Sequence, residues 1–351
     1  MCPDRSLKKG SLLILSTVLL AVCLHSAAAA QPPAARVLPA EPVALPGGEG
    51  GVGLDDLTFA PGLRRVLVPA GRTGRLDLID PASRQLREIA GFQASAAGAG
   101  GHGAGTTSVD EGGPYLYAID RTALRLSVVD PRKGKIVAGA PLAGSPDYVR
   151  FIAATHEVWV TEPDKEGIEI FSLSAADPPV PAHKDFLNVP GGLESLVIDA
   201  GRKRAYSNLW KSSTVAIDLA THKVVATWPN GCEGSRGLAL DAGRSLLFVG
   251  CAEGSADVLD LAHDGAVKDS FRFGAGVDIV AWNPALRHLY VPAAKTGQMA
   301  IAGVSAEGKL TLLGTVATAQ GAHCAVADDH RQVWICDPKA GRLLVARDTL
   351  P

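Results

Sequence analysis

The sequence predicts an all-β ring: a seven-bladed β-propeller of four-stranded blades, closed by an N-terminal strand that completes the last blade. Three observations predict it. A short apolar string with a large residue at its centre recurs seven times. Each string sits in a unit that reads as four strands. The seventh unit lacks its last strand, while an apolar segment stands unused ahead of the first unit.

The strings are Arg65-Val-Leu-Val, Tyr115-Leu-Tyr-Ala, Glu157-Val-Trp-Val, Arg204-Ala-Tyr-Ser, Leu246-Leu-Phe-Val, His288-Leu-Tyr-Val and Gln332-Val-Trp-Ile. Their central residues are Leu67, Tyr117, Trp159, Tyr206, Phe248, Tyr290 and Trp334, spaced by 50, 42, 47, 42, 42 and 44 residues. A fixed period of forty-odd residues marks a repeat architecture, and β-branched and aromatic runs make the repeated element a strand.

Each unit supplies four such runs. A first apolar segment, such as Leu196-Val-Ile or Leu238-Ala-Leu, precedes the large residue by about ten positions. A polar turn follows, as in Asp241-Ala-Gly-Arg244, and the large residue lies on the second strand. The third strand often ends in aspartate, as in Leu76 to Asp80, Leu126 to Asp130 and Val215 to Asp218. The fourth is represented by Ile136-Val-Ala and Val224-Val-Ala-Thr. Gly, Pro and Asp turns bound the runs.

One such sheet cannot bury both faces, but a ring of them packs each sheet on two neighbours. The ring has to close without a free edge. The seventh unit ends at Leu343 to Arg347, its third strand, so Pro42-Val-Ala-Leu45 is expected to supply the fourth.

The first thirty residues read as a signal peptide rather than part of the fold, leaving 31–351 as a single propeller domain. Arg5, Lys8 and Lys9 precede the apolar run Ser11 to Leu24, and Ala28 to Ala30 offer small residues for cleavage near Ala30. The run is too short to span a membrane comfortably. Cys23 leaves lipidation as an alternative, although Val22 fits that signal poorly. The expected location is periplasmic or secreted. The processed chain keeps 31 basic and 35 acidic residues, with no basic footprint for nucleic acid and no transmembrane segment. Its four cysteines suit disulfides. Cys232 and Cys251 flank one hairpin, Cys324 and Cys336 another, so those two pairs are expected to bond.

The strings Leu289-Tyr-Val-Pro, Leu247-Phe-Val-Gly and Val158-Trp-Val-Thr, each followed by a Gly-containing turn and a strand ending near Asp, are YVTN-like. The chain resembles the bacterial exported YVTN-type propeller family, including its YncE-like members, over nearly all of the processed sequence. It departs from the pattern at Ser207 and Asn208 and at a Gly-rich insertion in the second unit. The resemblance implies the fold and little about function, since known members include ligand- and DNA-binding proteins, and similar propellers serve as lactonases, lyases and quinoprotein subunits.

Chemistry is expected at the channel mouth where the innermost strands start. Counting back twelve from each large residue gives Asp55, Gly105, Asp147, Glu194, Arg236, Asp278 and Ala322, with Asp56, Glu233 and His323 adjacent. Five of the seven are charged. Such a ring could hold a cation, a sugar or a cationic ligand; equally, mouth residues face water and are polar for that reason. The insertion Gly98 to Gly105 enters the same mouth and carries His102, a candidate ligand or base, or an incidental histidine in a loose loop.

No C-x-x-C-H, H-E-x-x-H or G-x-S-x-G pattern is present. The reading is therefore a ligand- or protein-binding scaffold working through its charged mouth, rather than an enzyme. Its partner would be an unknown small molecule or periplasmic protein. The alternative is a metal-dependent hydrolase, lactonase or lyase using the same mouth, and a divalent cation is the one cofactor considered.

Overall fold

In the computed structural model, residues 36–96 and 103–351 are described. The predicted signal peptide with Cys23 and Ala30, most of the Gly-rich insertion, and His102 all lie outside them.

Seven antiparallel sheets appear in chain order. Blade 1 comprises Thr58–Ala60, Arg65–Pro69, Thr73–Ile79 and Leu86–Ala94. Blade 2 comprises Thr106–Gly112, Tyr115–Asp120, Arg125–Asp130 and Lys135–Pro141. Blade 3 comprises Val149–Ile152, Glu157–Glu162, Gly167–Leu173 and Pro181–Asn188. Blade 4 comprises Leu193–Asp199, Arg204–Leu209, Ser213–Asp218 and Lys223–Pro229. Blade 5 comprises Ser235–Asp241, Leu246–Cys251, Ser255–Asp260 and Ala266–Arg272. Blade 6 comprises Ala281–Asn283, His288–Ala293, Gln298–Val304 and Leu310–Ala317. Blade 7 comprises Ala325–Ala327, Gln332–Asp337, Arg342–Arg347 and, from the N-terminal side, Ala40–Ala44.

The closure follows the expected route. Ala40–Ala44 pairs antiparallel with Arg342–Arg347, Pro42 opposite Leu344. Innermost strands of successive blades contact one another around the full circle, blade 7 against blade 1. One feature goes beyond the expected pattern: Arg36–Leu38 adds a fifth strand to blade 6, parallel to Leu310–Ala317. The N-terminal segment therefore ties two blades together.

All seven large residues are buried, none more than 2% exposed. They stand on the second strand of each blade, where alternation sends them into the packing between neighbouring sheets. The strand-ending aspartates have a local task. Asp80, Asp130 and Asp218 each accept two backbone N–H groups of the following turn, the Asx arrangement that fixes a tight turn. The first hairpin of several blades ends on a residue in the left-handed region, such as Lys203, Ser245 and Arg287.

Cys232 and Cys251 form the expected disulfide. Cys324 and Cys336 do not bond; both are free and buried, which corrects the second expected bridge. They do lie opposite each other, Cys336 N–H donating to the Cys324 carbonyl at 3.0 Å. However, Cys336 Sγ is engaged as an acceptor, receiving the N–H of Cys324 at 3.0 Å and of His323 at 3.3 Å.

Candidate channel-mouth site

Each blade delivers the start of its inner strand to the same mouth. Asp55, Asp147, Asp278 and His323 precede the inner strands of blades 1, 3, 6 and 7, whereas Glu194 and Arg236 lie within those of blades 4 and 5. Register shifts occur between Glu194 and Val197 and between Ser235 and Leu238. A bulge re-aims a side chain without dissolving the sheet, and these two fall where mouth residues are presented. Ser195, beside Glu194, has a positive φ of 67°.

The carboxyl groups converge. Burial pushes the Glu194 carboxyl well above its usual range, and the negative charges of Asp147, Asp278 and Asp55 push it further. Its Oε2 accepts from Trp210 Nε1 at 2.9 Å, and its Oε1 is 3.5 Å from the Tyr148 hydroxyl. Burial drives the Tyr148 phenol far up, with the same four acidic groups adding to it.

The guanidinium that engages these carboxylates belongs to Arg121, not to Arg236. Arg121 Nη2 pairs closely with Asp147 Oδ1 and lies 3.6 Å from Asp55 Oδ2, while its Nε donates to the Pro146 carbonyl at 2.7 Å. Arg236 stands in the ring by position, its Nη1 donating to the Ser235 carbonyl at 2.8 Å. Asp56 turns away into a bidentate pair with Arg150 and accepts from Ser108.

His323 faces the acidic ring from one side and Cys336 from the other. Its Nδ1 lies 2.7 Å from the Gly321 carbonyl and 3.8 Å from Cys336 Sγ. Burial alone would lower the imidazole; Cys336, Asp278 and Asp55 together outweigh it and raise the ring well above its ordinary value. Burial likewise opposes ionisation of Cys336, but hydrogen bonds from Cys324 and the His323 charge bring it well below the usual thiol range. Cys324 is driven the other way, by burial first and by its hydrogen bond to Cys336 second. The His323–Cys336 contact thus favours the charged form of each group, while Cys324 is pushed towards its neutral form.

Sequence reasoning missed Arg121, Tyr148, Trp210 and Cys336 as mouth groups. Arg121 and Trp210 lie in turns between second and third strands, which open onto the same mouth as the inner-strand starts. The signal existed: Arg121 directly follows the strand-ending Asp120. Along the inner strands towards the far end of the channel runs a cavity of about 520 Å³, bordered by Asp56, Phe59, Arg150, Ile279, Trp282 and Asn283.

Among the described residues, no helix is long and apolar enough to cross a membrane. No protein-family model matches the chain. No curated protein matches it either. Solved structures do. A chain from the crystal structure of the mitotic checkpoint complex superposes with a TM-score of 0.72 at 14% identity, covering 95% of this chain and 99% of that one. Kuenenia stuttgartiensis hydrazine synthase gives 0.69 at 12% identity, covering 86% and 97%. The β-propeller domain of Myceliophteria thermophila Cps50 (Swd1) gives 0.67 at 12% identity, again covering 86% and 97%. At such identities the likeness is one of fold: the chain is a seven-bladed β-propeller.

Proposed function

We propose that this chain is an exported binding propeller whose acidic channel mouth receives a cationic group, presented by a small molecule or by a partner protein. The observation that carries the reading is the convergence of Asp55, Asp147, Glu194 and Asp278 on one another. Four carboxyl groups against the Arg121 guanidinium and the His323 imidazole leave the mouth acidic, and a low-dielectric rim strengthens its pull on a cation. Trp210, 47% exposed beside Glu194, adds an aromatic face of the kind that ammonium groups favour.

The Cys232–Cys251 disulfide suits an oxidising compartment, in keeping with the signal peptide read from the sequence and with the resemblance to exported YVTN-type propellers. A hydrolase or lyase built on a carboxylate-held divalent cation is the weaker reading. Arg121 already pairs with Asp147 and approaches Asp55, and a Glu194 carboxyl pushed upward by burial makes a weaker ligand for a hard cation.

Calorimetric titration with spermidine and with choline tests the proposal. Binding should weaken with added salt, fall at least about tenfold in an Asp147→Asn/Asp278→Asn variant, and persist in Phe59→Leu at the far cavity. Equal binding by the double variant, or loss confined to the far-cavity variant, would sink it.

A further inference from the structure

Just inside the mouth, the start of blade 7 gathers three soft donors. His323, Cys324 and Cys336 each offer one ligand atom, and these atoms lie within 4.8 Å of one another. Cys324 and Cys336 face each other across paired strands, joined by the backbone bond from Cys336 N–H to the Cys324 carbonyl. Both are wholly buried, so a blade core rather than a surface loop fixes their positions. The Gly-x-His-Cys segment 321–324 runs from the turn at Gly321 to the start of the inner strand.

We propose that His323, Cys324 and Cys336 form a binding site for a thiophilic d10 metal ion, held by two thiolates and one imidazole, with a fourth position left for water or a group from the channel.

Donor chemistry comes first. Two thiolates and an imidazole select zinc(II) or copper(I) over magnesium or calcium, and three protein ligands with one open position is a recurrent zinc arrangement. Geometry agrees. Zinc–sulfur and zinc–nitrogen bonds of about 2.3 and 2.0–2.1 Å place tetrahedral ligand atoms about 3.6–3.8 Å apart. The ligand atoms of the three residues already lie within 4.8 Å of one another, so small side-chain rotations close the remaining gap.

The surroundings resemble an outer ligand shell. Cys336 Sγ accepts two backbone N–H groups, at 3.0 and 3.3 Å, contacts that steady a thiolate. His323 Nδ1 sits 2.7 Å from the Gly321 carbonyl. Donation there leaves the lone pair on Nε2, the tautomer that a carbonyl partner enforces on metal-binding histidines. Charge favours the divalent ion. Two thiolates neutralise zinc(II), whereas copper(I) leaves a net negative centre close to Asp55 and Asp278, which act on both His323 and Cys324. None of this depends on the mouth receiving a cationic ligand.

The test uses the full chain carrying Cys2→Ser and Cys23→Ser, so that thiols outside the propeller contribute nothing. Zinc(II) and copper(I) are each titrated in competition with a chromophoric chelator, and cobalt(II) replaces zinc in a spectroscopic arm. One ion per chain is expected, with a thiolate-to-cobalt charge-transfer band in the near ultraviolet. His323→Gln, Cys324→Ser and Cys336→Ser should each weaken uptake about 100-fold or more. Glu194→Gln, a mouth substitution outside the ligand set, should leave it unchanged and so separates this proposal from the binding reading. Should the serine variants fail to fold, the cobalt band of the parent chain decides alone. Absence of stoichiometric uptake of both ions, a cobalt complex without the band, uptake surviving the Cys324→Ser/Cys336→Ser double variant, or a Cys324–Cys336 disulfide in the protein as isolated would overturn the proposal.

Discussion

Replacing both Cys232 and Cys251 by alanine should lower the stability of the propeller by about 3 kcal/mol. The two residues are 19 positions apart, and their bond ties the loop leading into the inner strand of blade 5 to the end of its second strand. A loop of that length, left open in the unfolded chain, gains entropy worth about 3.3 kcal/mol at 25 °C. Both cysteines also belong to a buried apolar cluster with Tyr206, Leu247 and Leu259, so their removal adds a smaller packing loss. At about 2.1 cal/mol/K per residue, the roughly 310 described residues give an unfolding entropy near 0.65 kcal/mol/K. The expected drop in melting temperature is therefore about 5 °C. Scanning calorimetry of the parent and double-alanine chains, with and without reductant, measures it. Reductant should leave the variant's transition where it is and bring the parent's down towards it. Thiol titration after denaturation, in the Cys2→Ser/Cys23→Ser background, should find two free thiols. A shift below about 1 °C, or a count of four, would refute the reasoning; a count of zero would show that the blade 7 pair bonds as well.

Further expectations rest on other residues. Asp77 is fully buried beside Arg75, and burial raises its carboxyl to about 7. The folded state then binds more protons than the unfolded state between about pH 4 and 7, so this residue's contribution to stability is complete below pH 4 and lost as pH rises through 7. Asp77→Asn should flatten that decline, gaining up to about 4 kcal/mol at pH 8 relative to pH 4 by urea unfolding; a parallel pH profile would contradict it. Gly341→Ala should destabilise the closure by about 2 kcal/mol or more, because residue 341 has a φ of +60° and a Cβ there would meet the Gly48 carbonyl oxygen at 1.9 Å. Unchanged melting of that variant would argue against a tight N-terminal clasp. Trp210→Ala should lower choline affinity several-fold while moving the melting temperature little, since the ring is half exposed; full affinity without the ring would remove the aromatic face from the site.

The ring was legible because its physics repeats. A large residue is needed on the second strand of every blade to fill the space between sheets, so Leu67, Tyr117, Trp159, Tyr206, Phe248, Tyr290 and Trp334 recur at one period and all are buried. The absent seventh outer strand was equally legible, since Pro42 to Leu45 had no other place in the pattern. The parallel Arg36–Leu38 strand was not, because three residues beside an already complete blade break no count. Within the mouth, inner-strand starts follow from counting, and the charges of Asp147, Asp278 and Asp55 all act on Glu194.

What counting could not supply was which charges answer one another. Arg236 occupies a ring position, yet its reach is spent on its neighbour's carbonyl, while Arg121 arrives from a turn and neutralises Asp147. The cysteines make the same point more sharply. By spacing, Cys324 and Cys336 are as good a pair as Cys232 and Cys251, and both pairs do lie across strands. The difference is the residue between the second pair and the carboxylates. Cys336 Sγ lies 3.8 Å from His323 Nδ1 and accepts two amide N–H groups, while its hydrogen bond with Cys324 and the His323 charge draw its thiol downward. A buried sulfur so engaged by its neighbours suits the ligand role proposed above better than a structural bridge. Sequence spacing reports proximity; only the charges around the sulfur tell a staple from a donor.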